Sequence, residues 1–256
     1  MTVSKQPVYA IVAAAGRGSR LTQDINKQFI EVGDCPVVTR TVRTLAACSQ
    51  IEGIVVVAAP DEIEMMRRCL SVVGTARIIS ITAGGATRQE SVRLGLSVLK
   101  EAVAPPPDSP ILVHDGARCF VNQTVIERVI EGIEKFTACG AAVPVKDTIK
   151  EVVPHAATLP GQMATDQIDG IIGHQVIRTL DRSRLWSMQT PQGATFSLLS
   201  DAYELADRQD WQATDDLSLL ELAGHTVYLV DGDYRNIKIT TQDDLLYGEW
   251  LAQQSD

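Results

Sequence analysis

The chain is short of positive charge: 23 lysines and arginines stand against 32 acidic residues, a formal net charge of −9 over 256 residues. Such a surface repels nucleic-acid backbones and anionic lipid, so broad electrostatic binding to either is excluded, and a polyanionic ligand must be held by a local basic cluster. Cysteine is sparse. Cys35, Cys48, Cys69, Cys119 and Cys139 are odd in number and contain no Cys-x-x-Cys, which argues against a disulfide framework and a zinc site. His155, His174 and His225 have no metal-like spacing either. No apolar run approaches the ~18 residues at which a membrane span becomes plausible, and no signal-peptide pattern opens the chain. A soluble, cytoplasmic protein with reduced thiols is expected.

What is present is a globular composition, 45% apolar and 21% charged, sufficient for a substantial core. Short apolar strands alternate with helical segments. Val8–Val12, Ile54–Ala58, Arg77–Thr82, Ile111–His114 and Gly140–Val145 read as buried strands. Between them Val37–Cys48, Asp61–Leu70, Thr87–Glu101 and Thr124–Phe136 read as helices, the third with Val92, Leu96 and Leu99 forming a stripe toward a sheet. This order predicts a single α/β domain over 1–256 with a mostly parallel, doubly wound, Rossmann-like sheet flanked by helices. Phe196–Arg208, Asp215–Ala223 and Gln242–Leu251 read as later helices and His225–Val230 as a late strand. Thr214 is expected to cap the helix it precedes.

The region 148–186 breaks the pattern. Thr148–Val153 and Gln175–Leu180 are strand-like, and the long polar stretch between them suggests a projecting β-arm. Isolated two-stranded ribbons are marginal in water, so a second copy of the chain is the expected support. A mobile surface loop is the alternative for 154–174.

The strand Val8-Tyr-Ala-Ile-Val12 runs into Ala13-Ala-Ala-Gly-Arg-Gly-Ser-Arg-Leu21, with Asn26-Lys27-Gln28 beyond. Gly16 and Gly18 let main-chain N–H groups approach a phosphate, while Arg17, Arg20 and Lys27 bring positive charge; a nucleoside triphosphate fits. The third glycine of a dinucleotide fold is missing, as is the Gly-Lys-Ser/Thr of a P-loop. Alone, the segment reads equally as a glycine-rich connection with solvated arginines. Ligands of open α/β sheets collect at the carboxyl ends of parallel strands, however, and polar residues recur there. Gly84-Gly85-Ala86-Thr87-Arg88, His114-Asp115-Gly116-Ala117-Arg118, Lys146-Asp147-Thr148 and Asn236-Ile-Lys238 all follow strands.

These segments, with Leu185-Trp-x-x-Gln-Thr-Pro-Gln192 and Thr214-Asp-Asp216, resemble in order the motifs of the 2-C-methyl-D-erythritol 4-phosphate cytidylyltransferase family over about Val8 to Leu246. The resemblance implies transfer of a cytidylyl group from CTP to methylerythritol phosphate with release of pyrophosphate, in the non-mevalonate route to isoprenoids. It implies that Arg20, Lys27 and Lys238 bind the triphosphate and stabilise charge at the α-phosphorus. Ala14, Ala15, Gly16, Gly18, Gly85, Ser91, Asp115 and Gly116 would hold the nucleotide. Asp115, Arg118, Thr148, Arg182, Thr190, Thr214 and Lys238 would bind the sugar phosphate, with Thr148 and Arg182 reaching across a homodimer. Mg²⁺ is the expected cofactor, with Asp115 near it directly or through water, or else bonded to a hydroxyl. The sibling ribitol 5-phosphate cytidylyltransferase and a nucleotide-binding relative without turnover are the rival readings.

Three positions depart from the family. Ala86 stands where many members carry an acidic residue near the cytosine, Cys119 where proline is usual, and the arm is lengthened around 154–174. A phosphate monoester's second pKa is near 6, so the nucleophile is largely ionised at neutral pH and His114 has no base to be. A structural role is expected for it.

Overall fold

Runs that are apolar at every residue cannot face water on either side, and here they become the inner strands of one seven-stranded sheet. The strands are β1 (Val8–Ala14), β2 (Ile51–Ala58), β3 (Ile78–Ala83), β4 (Pro110–Asp115), β5 (Ala138–Pro144), β6 (Trp186–Thr195) and β7 (Tyr228–Asp231). Their order across the sheet is β7-β5-β6-β4-β1-β2-β3. The computed structural model describes residues 6–16, 26–153, 167–168, 171–172 and 174–254.

β1 pairs in parallel with β2 and β4, β2 with β3, and β5 with β7. The helices are α1 (Val37–Ala47), α2 (Ile63–Leu70), α3 (Arg88–Val103), α4 (Gln123–Phe136), α5 (Phe196–Gln209), α6 (Asp216–Leu222) and α7 (Gln242–Gln253). β1 shows why they divide. Val8, Ala10 and Val12 join a core with Val42, Leu45, Met66 and Ile130, while Tyr9 and Ile11 join another with Leu99, Leu199 and Leu220. Alternate residues of one strand thus bury helices on opposite faces, α1, α2 and α4 on one and α3, α5 and α6 on the other. The expected mostly parallel, doubly wound sheet is present, and Val92, Leu96 and Leu99 lie in its core.

Two sequence expectations are corrected. β6 was not expected as a strand, yet it runs antiparallel beside β4, with Gln192 opposite Val113 and Gly193 opposite Leu112. Its glycine is needed, since a Cβ on Gly193 would overlap the main-chain carbonyl of Ile111. The cap of α6 is Asp215, not Thr214: the Asp215 carboxylate accepts from the Ser218 amide at 2.7 Å, and the Asp215 amide donates to the Ser218 hydroxyl at 3.1 Å.

Val143–Ser187 forms a compact unit of its own, and the chain on either side of it forms the other. Within the smaller unit Lys150–Val152 and Val176–Thr179 pair antiparallel, the hairpin expected of the arm.

Candidate active site

Much of the site is built where strands stop. β1 ends at Ala14 and hands on to Ala15 and Gly16, and a 3₁₀ turn, Lys27–Phe29, follows. Asn26 starts that turn and donates to Glu62 Oε2 at 2.8 Å, which anchors the approach to Lys27. β3 leads through Gly84 and Gly85 to α3, β4 ends in Asp115, and the stretch after β7 brings Asn236 and Lys238.

Together they enclose a cavity of about 490 Å³ lined by Ala15, Gly16, Lys27, Gly85, Ser91, Asp115 and Lys238 among others. A second cavity of about 350 Å³ is lined by Arg118, Thr190, Gln192 and Thr214. Arg88, Asp115 and Lys238 line both, so these three side chains form a partition between them. Most of the residues expected at the site are thereby brought together. Ala14 and Gly116 stand behind the first cavity, where a Cβ on Gly116 would come within 2.9 Å of Ala14 Cβ. Thr148 and Arg182 belong to the smaller unit, where Arg182 donates to the Lys146 carbonyl at 3.0 Å. Gly18 and Arg20 lie outside the described residues.

Asp115 is the electrostatic centre. Its Oδ1 lies 3.0 Å from Arg88 Nε, and its Oδ2 lies 2.9 Å from Lys238 Nζ and 3.5 Å from Arg118 Nε. Burial opposes its ionisation, but the charges of Arg88, Lys238 and Arg118 outweigh burial and hold the carboxyl below the usual range. Arg88 is in turn gripped from behind by Asp216, bidentate at 3.1 and 2.7 Å, and Tyr203 donates to the same carboxylate at 2.6 Å. Asp216 is fully buried, and these donors, with the fork geometry of the guanidinium, satisfy its carboxyl oxygens. Burial works against the charge on Arg88, but Asp216 and then Asp115 raise its pKa above the ordinary arginine value. Arg88, Asp216 and Tyr203 were not singled out from sequence, although Arg88 closes the Gly-Gly-x-x-Arg motif and Asp216 the Thr-Asp-Asp motif.

His114 is entirely buried, and that burial lowers its pKa to about 4. A neutral imidazole has one donor and one acceptor, and its partners fix which is which. Nε2 lies 3.1 Å from the Arg118 carbonyl and must donate; Nδ1, 3.0 Å from the Thr190 hydroxyl, must accept. The Thr190 oxygen then accepts the Asp115 amide at 3.0 Å. The imidazole is therefore a strut between β4 and β6. Asn236 ties the same region, donating to the Thr190 carbonyl at 2.8 Å, and Arg118 donates to the Asn236 carbonyl at 2.9 Å. Cys119 is buried, and burial pushes its thiol up to about 12, which makes it a packing residue rather than a nucleophile.

The arrangement can hold one uncharged planar group against main chain and small residues, and phosphoryl groups against Lys27, Arg88, Lys238 and Arg118. The family model of 2-C-methyl-D-erythritol 4-phosphate cytidylyltransferase matches residues 8–254. A relative of that name from Alkaliphilus oremlandii is 37% identical over 252 residues, 98% of this chain and 96% of the relative. Another from Geobacillus thermodenitrificans is 38% identical, covering 94% of each. The crystal structure of 4-diphosphocytidyl-2C-methyl-D-erythritol synthase from Anaerococcus prevotii superposes with a TM-score of 0.77 at 29% identity, covering 97% of this chain and 96% of that one. With cradle, fold and nearly full-length likeness in agreement, the chain belongs to the 2-C-methyl-D-erythritol 4-phosphate cytidylyltransferase family.

Proposed function

We propose that the two cavities hold CTP and methylerythritol phosphate on either side of the Arg88–Asp115–Lys238 partition, and that cytidylyl transfer takes place across it. The observation that supports this most is the shared wall: one set of charged side chains faces both spaces, as a reaction between two phosphorylated molecules requires. A phosphate oxygen of methylerythritol phosphate attacks the α-phosphorus of CTP. A new P–O–P linkage forms, the bond from the α-phosphorus to its bridging oxygen breaks, and pyrophosphate leaves with that electron pair.

The nucleophile carries its own negative charge, so no protein base is needed and the neutral, doubly bonded His114 is left a structural part. What the chain contributes is alignment of two mutually repelling anions and compensation of the charge that accumulates on the phosphoryl oxygens. In this reading Lys27 and Lys238 take the triphosphate, joined by Arg20. Arg118 takes the sugar phosphate, and Thr190 and Thr214 complete that cavity.

Both oxygens of Asp115 are engaged by Arg88, Lys238 and Arg118, so Mg²⁺, which is usually held by substrate phosphates and water with one or two carboxylates, would sit on the nucleotide's phosphate oxygens with Asp115 reaching it through water. Bound there, Mg²⁺ would neutralise charge on the triphosphate. The nucleotide's own oxygens and water would hold it.

The arm fits a homodimer in which Thr148 and Arg182 serve the neighbouring copy's sugar phosphate. Mixing Arg182→Ala and Lys27→Ala subunits tests this: recovered activity from hybrid sites is expected, and none despite demonstrated subunit exchange would refute it. No helix among the described residues is long and apolar enough to cross a membrane, and we assign the enzyme to the cytoplasm. The function itself is tested by pyrophosphate release with methylerythritol phosphate and each of CTP, UTP, ATP and GTP. Release with CTP is expected; a clear preference for ribitol 5-phosphate as acceptor, or CTP binding without release, would refute it.

A further inference from the structure

The first cavity is lined by charged side chains, Lys27, Arg88, Asp115 and Lys238, and by an uncharged wall of small residues and main chain that includes Ala15, Ala59, Pro60, Gly85 and Ala86. The uncharged, planar part of a nucleotide belongs against the uncharged wall, so the turn Gly84–Thr87 faces the base. This turn is distinctive in where its amides go. Gly84 N–H donates to the Ala58 carbonyl at 2.8 Å, Gly85 N–H to the Ser91 hydroxyl at 3.1 Å, and Ala86 N–H to the Glu90 carboxylate at 2.7 Å. Ser91 is itself fixed, since its hydroxyl donates to the Thr87 carbonyl at 2.8 Å. Glu90 lies directly over the turn; a Cβ on Gly85 would overlap its side chain.

The amides of Gly84, Gly85 and Ala86 are thus satisfied within the protein, so across these three residues the main-chain groups left for a ligand are carbonyl oxygens. We infer that Glu90 is a specificity-determining residue: by capturing the Ala86 amide it makes the base-facing turn an acceptor edge, which selects a pyrimidine carrying an exocyclic amino group over one carrying a carbonyl. Cytosine presents N4–H₂ where uracil presents O4, so an acceptor edge pairs with the first and sets oxygen against oxygen with the second. Release of the Ala86 N–H would give the turn a donor and remove that discrimination. Glu90 need not touch the base itself; it acts through the main chain, and Ala86 brings no side chain of its own to the task.

This inference rests on the reading of CTP as the nucleotide, and one experiment separates the two. Initial rates of pyrophosphate release with methylerythritol phosphate are measured for CTP and UTP with the unaltered protein, Glu90→Ala and Glu90→Gln. Failure of the unaltered protein to release pyrophosphate from CTP would refute the function, whatever the variants do. Given that release, Glu90→Ala is expected to lower the CTP-to-UTP ratio of kcat/KM by about tenfold or more, the scale of an exposed mismatch in a hydrogen-bonded pocket. Glu90→Gln keeps an acceptor oxygen and is expected to hold the ratio within about threefold of the unaltered value. Loss of CTP and UTP activity in equal proportion in Glu90→Ala, with the ratio unchanged, is what a merely structural side chain would give. That outcome would overturn the assignment.

Discussion

The two cavities share a wall and are built by different means. The first is shaped largely by main chain and small residues, among them Ala15, Gly16, Gly85 and Ala86, whereas the second is framed by Arg118, Gln189, Thr190, Gln192 and Asp215. Main chain is placed by the strands themselves, so the first cavity inherits its shape from the sheet. Long polar side chains need partners, so the second depends on a network in which Gln192 Oε1 accepts the Asp216 amide and His114 braces Thr190. One cavity should resist most single substitutions, and the other should fail at several. Arg88 joins the two regimes, being held by Asp216 while facing both spaces.

The sharpest way to break the comparison is Asp216→Ala. It leaves Arg88 without its bidentate partner and Tyr203 without its acceptor, and removing one member of a buried pair typically destabilises by ~3–5 kcal/mol. Denaturant unfolding should show a loss on that scale, with the methylerythritol phosphate KM rising more than the CTP KM in whatever protein remains folded. Equal changes in both would show that the two cavities are not independently framed.

Acidification tests the same framework without mutation. The imidazole of His114 has an ordinary pKa of 6.5, which burial lowers to about 4 in the folded chain. The unfolded chain therefore binds the extra proton first, and stability falls as pH drops from about 6.5 toward about 4, by up to ~3 kcal/mol. The depressed carboxyl of Asp115 acts only below this window, where its contribution is lost as pH falls past the ordinary carboxylate range. Unfolding free energies between pH 7 and 4 should show the slope, and His114→Gln should flatten it. An unchanged slope in that variant would remove the strut from the account.

Lys27→Ala probes the electrostatic role proposed for Lys27 in the first cavity. Loss of a group that meets charge developing in the transition state lowers kcat by ~10²-fold or more, with stability left within ~0.5 kcal/mol as for most surface changes. A rise in KM at constant kcat would place Lys27 in substrate binding alone.

The same contrast explains what could be read in the sequence. β1, β2, β4 and β5 announce themselves because strands buried on both faces are largely apolar runs, β3 is a half-buried edge strand marked by its isoleucines, and the ends of β1, β3 and β4 locate Gly16, Gly85 and Asp115 directly. β6 does not. Trp186-Ser-Met-Gln-Thr-Pro-Gln-Gly193 contains residues that strands avoid, and its buried Gln189, Thr190 and Gln192 are tolerated because each is hydrogen-bonded in place. Partner choice is equally hidden. Arg88 and Asp216 stand 128 residues apart, and no local pattern says that they meet. Glu90 was not singled out either, since its grip on the Ala86 amide depends on the path of the preceding turn.

A crystal structure with CTP bound tests the central claim most directly, which is that strand ends of an acidic protein converge into one cationic cradle divided by Arg88, Asp115 and Lys238. The account predicts the triphosphate within hydrogen-bond reach of Lys27 and Lys238, with the base against Gly85 and Ala86. A triphosphate bound away from both lysines, or a base lying in the cavity of Arg118 and Thr190, would contradict it.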